Sequence, residues 1–301
     1  MRYCLLLLLI PFWSVAQDDL LDLLDEGETT EVVDATFKGT RLINMQTNES
    51  PAPGVLQFMF HHRFGAINND FLHNFFGLDN AIVRLGLDYS FNDWLNVGVG
   101  RSSNNKTYDG FVKAKLLRQK SGADAFPVSV SWYSAGFLNM TRRDIDLNAG
   151  DRLSYVHQLI IARKMNKSIS MMLTPSVVHF NLVEQAAQPN TVGVLAMGGR
   201  FKLNQRVAIT AEYSPQLINR NFRTNAEGER VDYQNGLSIG VDIETGGHVF
   251  QLHLTNSRSI IDPDWMAGPA TGNWLDGDIY FGFNISRVFT VKEPKRPGGD
   301  N

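Results

Sequence analysis

The chain has 301 residues, with 28 basic and 31 acidic side chains and a formal charge of -3. A hydrophobic share of 43% excludes a disordered protein, and the near-neutral charge argues against a nucleic-acid partner. The only cysteine is Cys4, which excludes a disulfide framework and a thiolate metal site.

Residues 1–16 read as a secretory signal peptide. Arg2 gives the positive start, Leu5 to Ile10 with Phe12, Trp13 and Val15 give the apolar core, and Ser14-Val15-Ala16 gives a small-x-small cleavage site. Cys4 precedes the apolar run, so it is not the acylated cysteine of a lipoprotein. No later stretch approaches the ~20 apolar residues of a spanning helix.

Residues 17–53 read as an acidic N-terminal periplasmic segment. Asp18, Asp19, Asp22, Asp25, Glu26, Glu28, Glu31 and Asp34 fall in 17–37 with no basic residue among them. Leu20, Leu21, Leu23 and Leu24 form one stripe on a short helix, a candidate docking face for a periplasmic protein partner or for the mouth of a barrel. The competing reading is a solvated acidic tail.

From Val55 onward the apolar signal repeats every two residues, as on a strand with one apolar face. Leu56, Phe58, Phe60 and Phe64 alternate with Gln57, Met59, His61 and Arg63; Leu237, Ile239, Val241 and Ile243 alternate with Ser238, Gly240, Asp242 and Glu244. Twelve strands are predicted near 55–64, 81–91, 94–100, 108–118, 127–136, 151–163, 168–180, 191–202, 206–214, 232–244, 248–255 and 278–289. The strands near 151–163 and 191–202 do not choose a face. Long connections at 65–80, 137–150, 215–231 and 256–277 and short ones at 92–93 and 245–247 suggest a long–short alternation throughout, the habit of a transmembrane barrel. Trp94, Trp132, Tyr89 and Tyr213 suit interfacial belts. Gly, Ser and charge recur on the non-apolar face, as a polar lumen requires.

The expected fold is therefore an all-β, antiparallel up-and-down transmembrane barrel over 54–291, with a tail at 292–301. The closing strand from Tyr280 to Phe289 is the kind of aromatic-rich signal that barrel-assembly machinery reads, although twelve residues follow it.

Thr36 to Asn44, Pro51-Ala52-Pro53-Gly54, His62-Arg63-Phe64-Gly65, Phe76-Gly77-Leu78-Asp79 and Lys106-Thr107-Tyr108-Asp109-Gly110 carry a resemblance. They resemble a β-barrel family of the Bacteroidota catalogued as domain of unknown function 5777, over roughly 34–291. The resemblance implies a barrel in a Gram-negative envelope and supplies no catalytic residue.

Candidate chemistry is thin. His61 and His62 are adjacent and point to opposite faces of a strand, so they do not chelate one ion. Twelve strands invite comparison with outer-membrane phospholipase, but its His-x-Ser arrangement is missing (His253-Leu254-Thr255 comes nearest), as is a Gly-x-Ser-x-Gly elbow. No enzyme, metal or cofactor is expected. Arg63, Arg84, Asp88, Lys113, Lys115, Glu212, Asp242 and Glu244 are the lumen candidates, as a selectivity filter or as a mutually paired polar core. Twelve strands lie between a side-chain-filled barrel and an open channel, so a narrow or occluded lumen is expected. The functional expectation is porin-like passage of a small solute across the outer membrane, in contact with its lipid. The alternatives are a non-conducting scaffold recruiting a periplasmic partner and a soluble periplasmic β-rich binding protein.

Overall fold

The computed structural model describes residues 29–68, 73, 75–245, 247–269 and 272–292. The predicted signal peptide, Leu20, Leu21, Leu23 and Leu24, Gly246 and the tail from 293 lie outside the described residues. Twelve long strands follow in chain order: β1 Val55–Ala66, β2 Ala81–Ser90, β3 Leu95–Ser102, β4 Tyr108–Leu117, β5 Ser129–Leu138 and β6 Leu153–Lys164. Then come β7 Ile169–Phe180, β8 Thr191–Lys202, β9 Val207–Ser214, β10 Gly236–Thr245, β11 His248–Thr255 and β12 Tyr280–Thr290.

Each strand pairs antiparallel with its neighbour in sequence, and β12 returns to β1 with Phe283 opposite His62 and Ile285 opposite Phe60. The sheet is thus a closed barrel with no free edge. Among the described residues no helix is long and apolar enough to cross a membrane.

The wall is inverted relative to a soluble barrel. Leu85, Leu87, Val99, Val112, Met171, Leu173, Val177, Ile209, Ile239 and Leu252 are exposed outward. Gln57, His61, Arg63, Arg84, Asp88, Thr174, Ser238, Asp242 and Asn284 are buried inward. Charge and amide are tolerated on the lumen side because partners can be supplied there; on the lipid side a charge costs ~2–4 kcal/mol near the midplane.

The two strands that the sequence left without a face are settled by packing. Val156, Gln158, Ile160 and Ala162 of β6 and Val192, Val194 and Ala196 of β8 point inward. They are apolar on both faces because this side of the lumen holds an internal apolar cluster, with Leu42, Met45, Trp265 and Met266 packed against it. An inward apolar row and an outward apolar row leave no alternation to read.

The barrel has a turn end, where β1 begins and β12 ends: Gly54 N–H donates to Ser90 and Val291 N–H donates to Gly54. Three of its turns repeat one device. Asn92 Oδ1 accepts from the N–H of Trp94 and Leu95, Asn166 from Ser168 and Ile169, and Asn204 from Arg206 and Val207. An asparagine that satisfies the backbone two and three residues on makes a tight reversal.

The expected long–short alternation fails at one place. The β3–β4 connection covers only 103–107, whereas the β4–β5 turn covers 118–128. The turn is long because it receives the incoming N-terminal segment. Glu31–Val32 pairs with Lys120–Ser121, and Val33 N–H donates to Gln119.

Candidate functional site

The lumen is filled from both ends. From the turn end, the chain passes Lys164, whose Nζ donates to the Asp34 carbonyl (2.8 Å), and Arg200, whose Nη2 donates to the Ala35 carbonyl (3.1 Å). It then folds into a hairpin over 40–47, closed by Leu42 N–H to Met45 (2.9 Å), Thr47 N–H to Thr40 (2.9 Å) and a bridge between Arg41 and Gln46. The sequence predicts 17–53 as an acidic periplasmic segment ahead of the barrel, with folding into the barrel mouth as one option for 17–37. Of the described part, 36–48 is almost wholly buried inside the wall.

The hairpin is divided as the lumen is. Leu42 and Met45 pack on the apolar side. On the polar side its main chain is held by wall side chains. Gln251 Nε2 donates to the carbonyls of Arg41 (3.1 Å) and Leu42 (2.6 Å), and Asn284 Nδ2 donates to Ile43 (3.0 Å). Lys113 Nζ donates to the carbonyls of Thr47 (3.3 Å) and Glu49 (2.5 Å). Glu212 accepts the backbone N–H of Ile43 (3.3 Å), Asn44 (3.0 Å) and Met45 (3.0 Å), and also Nδ2 of Asn44 (2.6 Å). Such charge-assisted bonds are the strong ones.

From the opposite, loop end, the connection after β11 folds inward and carries the helix α1 Asp262–Ala267. The two insertions meet at an ion pair: Arg41 Nη1 lies 2.9 Å from Asp262 Oδ1 and also donates to the Asn44 carbonyl. Asp262 is braced by Tyr133 Oη (2.8 Å) and Trp265 Nε1 (3.3 Å). Asn104 Nδ2 donates to Ser259 Oγ and Asp264 Oδ2, both at 3.1 Å, and supports the insertion from the β3–β4 connection.

Of the expected lumen residues, Arg63, Arg84, Asp88, Lys113, Glu212 and Asp242 are buried inside the wall and Lys115 is half-buried. Glu244 departs from the expectation. It has the inward register of β10 but lies past the end of the lumen, exposed, where it pairs with Lys38. Arg84 pairs with Asp109, and Asp242 accepts from Gln251 (3.1 Å).

Sequence reasoning missed Asn44, Asp109, Gln251, Asn284 and Asp262. Gln251 and Asn284 have the inward parity of their strands and could have been found by it. Asn44 and Asp262 lie in segments without periodicity. His61 points inward and His62 outward, its ring stacked on Phe283 with centroids 5.0 Å apart. On the outer wall Ser134 Oγ lies 2.9 Å from His157 Nδ1, and each satisfies the other in an apolar setting. Among the described residues no group of three or more His, Cys, Asp or Glu is placed to hold a metal ion.

Among solved structures, the chain is similar to the NanC porin, with 6% identity, a TM-score of 0.47, and coverage of 77% of this chain and 98% of that one. It is similar to Salmonella typhi OmpF, with 8% identity, a TM-score of 0.38, and coverage of 78% and 97%. Vibrio cholerae OmpT gives 9%, 0.37, 81% and 100%. No curated protein sequence matches the chain. The model of the membrane-bound beta barrel domain, domain of unknown function 5777, matches residues 37–289, a span that takes in both the hairpin and the closing strand; the chain belongs to that family.

Proposed function

We propose that this chain is an outer-membrane solute-passage barrel, closed at rest by its own N-terminal hairpin, with the turn end in the periplasm. One observation carries the reading. The barrel sheet is complete without the hairpin, since β1 to β12 pair all round and 40–47 pairs only with itself. The hairpin is held by side chains alone on the polar side, so it can leave without opening the wall. The inverted wall, with apolar residues outward and charge inward, supports the membrane setting. A filled lumen also favours a second reading, a non-conducting scaffold whose acidic Asp18–Asp34 segment recruits a periplasmic partner.

Planar bilayers separate the two. The native chain should be closed or open only briefly. A chain lacking 38–48, with 258–268 replaced by a Gly-Ser linker, should conduct steadily. Silence from that variant, shown to be folded by its heat-modifiable gel mobility, would leave the scaffold.

A further inference from the structure

The hairpin tip sits between two buried charges of opposite sign. Arg63 on β1 is 1% exposed; its Nη1 donates to the Ser257 carbonyl (2.6 Å) and its Nη2 to Oδ1 of Asn44 (2.9 Å). Glu212 on β9 takes Nδ2 of the same amide at 2.6 Å, and that Nδ2 also reaches Ser238 Oγ at 3.1 Å. Among the described residues neither Arg63 nor Glu212 is in a salt bridge. The Asn44 carboxamide therefore faces a guanidinium with its acceptor and a carboxylate with its donor. It answers both in hydrogen bonds and neither in charge, and the two charges act on each other only across it, without direct contact.

The fit is incomplete in one further respect. Arg63 Nε has no hydrogen-bond partner. The Nε–Nη2 edge of a guanidinium is a fork that takes both oxygens of a carboxylate, and here it meets a single amide oxygen. His253, buried beside it across Gly282, has both ring nitrogens unpartnered. The wall thus offers more polar capacity at this point than Asn44 uses.

We infer that Arg63, Glu212 and Ser238 form a binding site for a small zwitterionic solute of the α-amino-acid type, and that Asn44 fills it as a built-in surrogate while the lumen is closed. The carboxylate of the solute takes the Arg63 fork, and its ammonium takes Glu212 and Ser238. The inference rests on the solute-passage reading and supplies its substrate class. It also gives the hairpin a trigger, because a solute that supplies both charges outcompetes a neutral amide.

The test is equilibrium binding to the full chain, folded in detergent, with glycine as the probe. N-acetylglycine and glycine methyl ester, each lacking one of the two charges, are the controls. Asn44→Ala removes the surrogate, and glycine should then raise the thermal midpoint saturably. The two controls should bind about tenfold or more weakly, the loss expected for a charged hydrogen bond. Arg63→Met or Glu212→Gln in the Asn44→Ala chain should abolish the effect.

The native chain gives a second measurement that needs no variant. Saturating glycine should speed proteolysis within 38–48 several-fold, and a mixture of acetate and methylammonium should not. Equal binding of all three probes, or no glycine effect in either measurement, overturns the site. Glycine binding by a barrel that never conducts keeps the site and removes solute passage. Steady conductance without glycine binding keeps passage and removes the site.

Discussion

Arg41 shows how one side chain ties the two insertions together. It joins the hairpin to α1 through Asp262, and both partners are almost fully buried. Removing one member of a buried pair strands the other, which costs about 3–5 kcal/mol. Arg41→Met should therefore lower the urea midpoint of the folded protein in detergent, by far more than the double change Arg41→Met with Asp262→Asn. An equal loss in both would mean that the pair is not what holds the insertions together. Neither residue was legible beforehand. Arg41 lies in a stretch without period, and its partner is 221 positions away, so nothing local marks the pairing.

Among the elements, α1 carries a titration with a clear sign. Asp264 is half-buried against a cleft of about 80 Å3, and burial pushes its carboxyl up from an ordinary 3.8 to about 6. The hydrogen bonds from Ser259 and Asn104 oppose that shift, and Glu184 adds to it. A carboxyl raised in the folded state makes that state strongest when protonated, so the docking of α1 weakens as pH rises from about 4 through about 6 and is flat above. Access from the cleft holds the effect to about 1–2 kcal/mol. The thermal midpoint of the native chain should fall across that range, and Asp264→Asn should flatten the fall. The helix itself was not readable: six residues with Pro263 at the start are too short for a periodic signal. The strands were readable, because a wall between lipid and a polar lumen forces apolar and polar residues to alternate. They became ambiguous at β6 and β8, where Trp265 and Met266 replace polar groups inside.

On the scale of the whole molecule, the sidedness of the barrel can be tested cleanly, since Cys4 is the only cysteine and lies in the predicted signal peptide. Ile145 is exposed in the β5–β6 connection at the loop end, and Lys167 is exposed in a turn at the other. An impermeant thiol reagent on intact cells should label Ile145→Cys and spare Lys167→Cys. The reverse pattern would invert the barrel and make the cell surface the side from which the hairpin enters.

The sequence by itself determined that the chain is a twelve-stranded barrel with an apolar outer face, because period two is imposed locally by the pleat and survives in every strand with one dry face. It also marked Arg63, Glu212 and most of the other inward charges, since parity along a strand assigns a face. Only the tertiary structure decided what those charges meet. A hairpin at 40–47 and a helix at 262–267, contributed from opposite ends of the chain, fill the lumen through contacts far apart in sequence. Many of the hydrogen bonds that fix the hairpin run from wall side chains to main-chain groups, which are alike at every residue and leave no pattern in the sequence, and the helix is held by side chains that lie far apart along the chain.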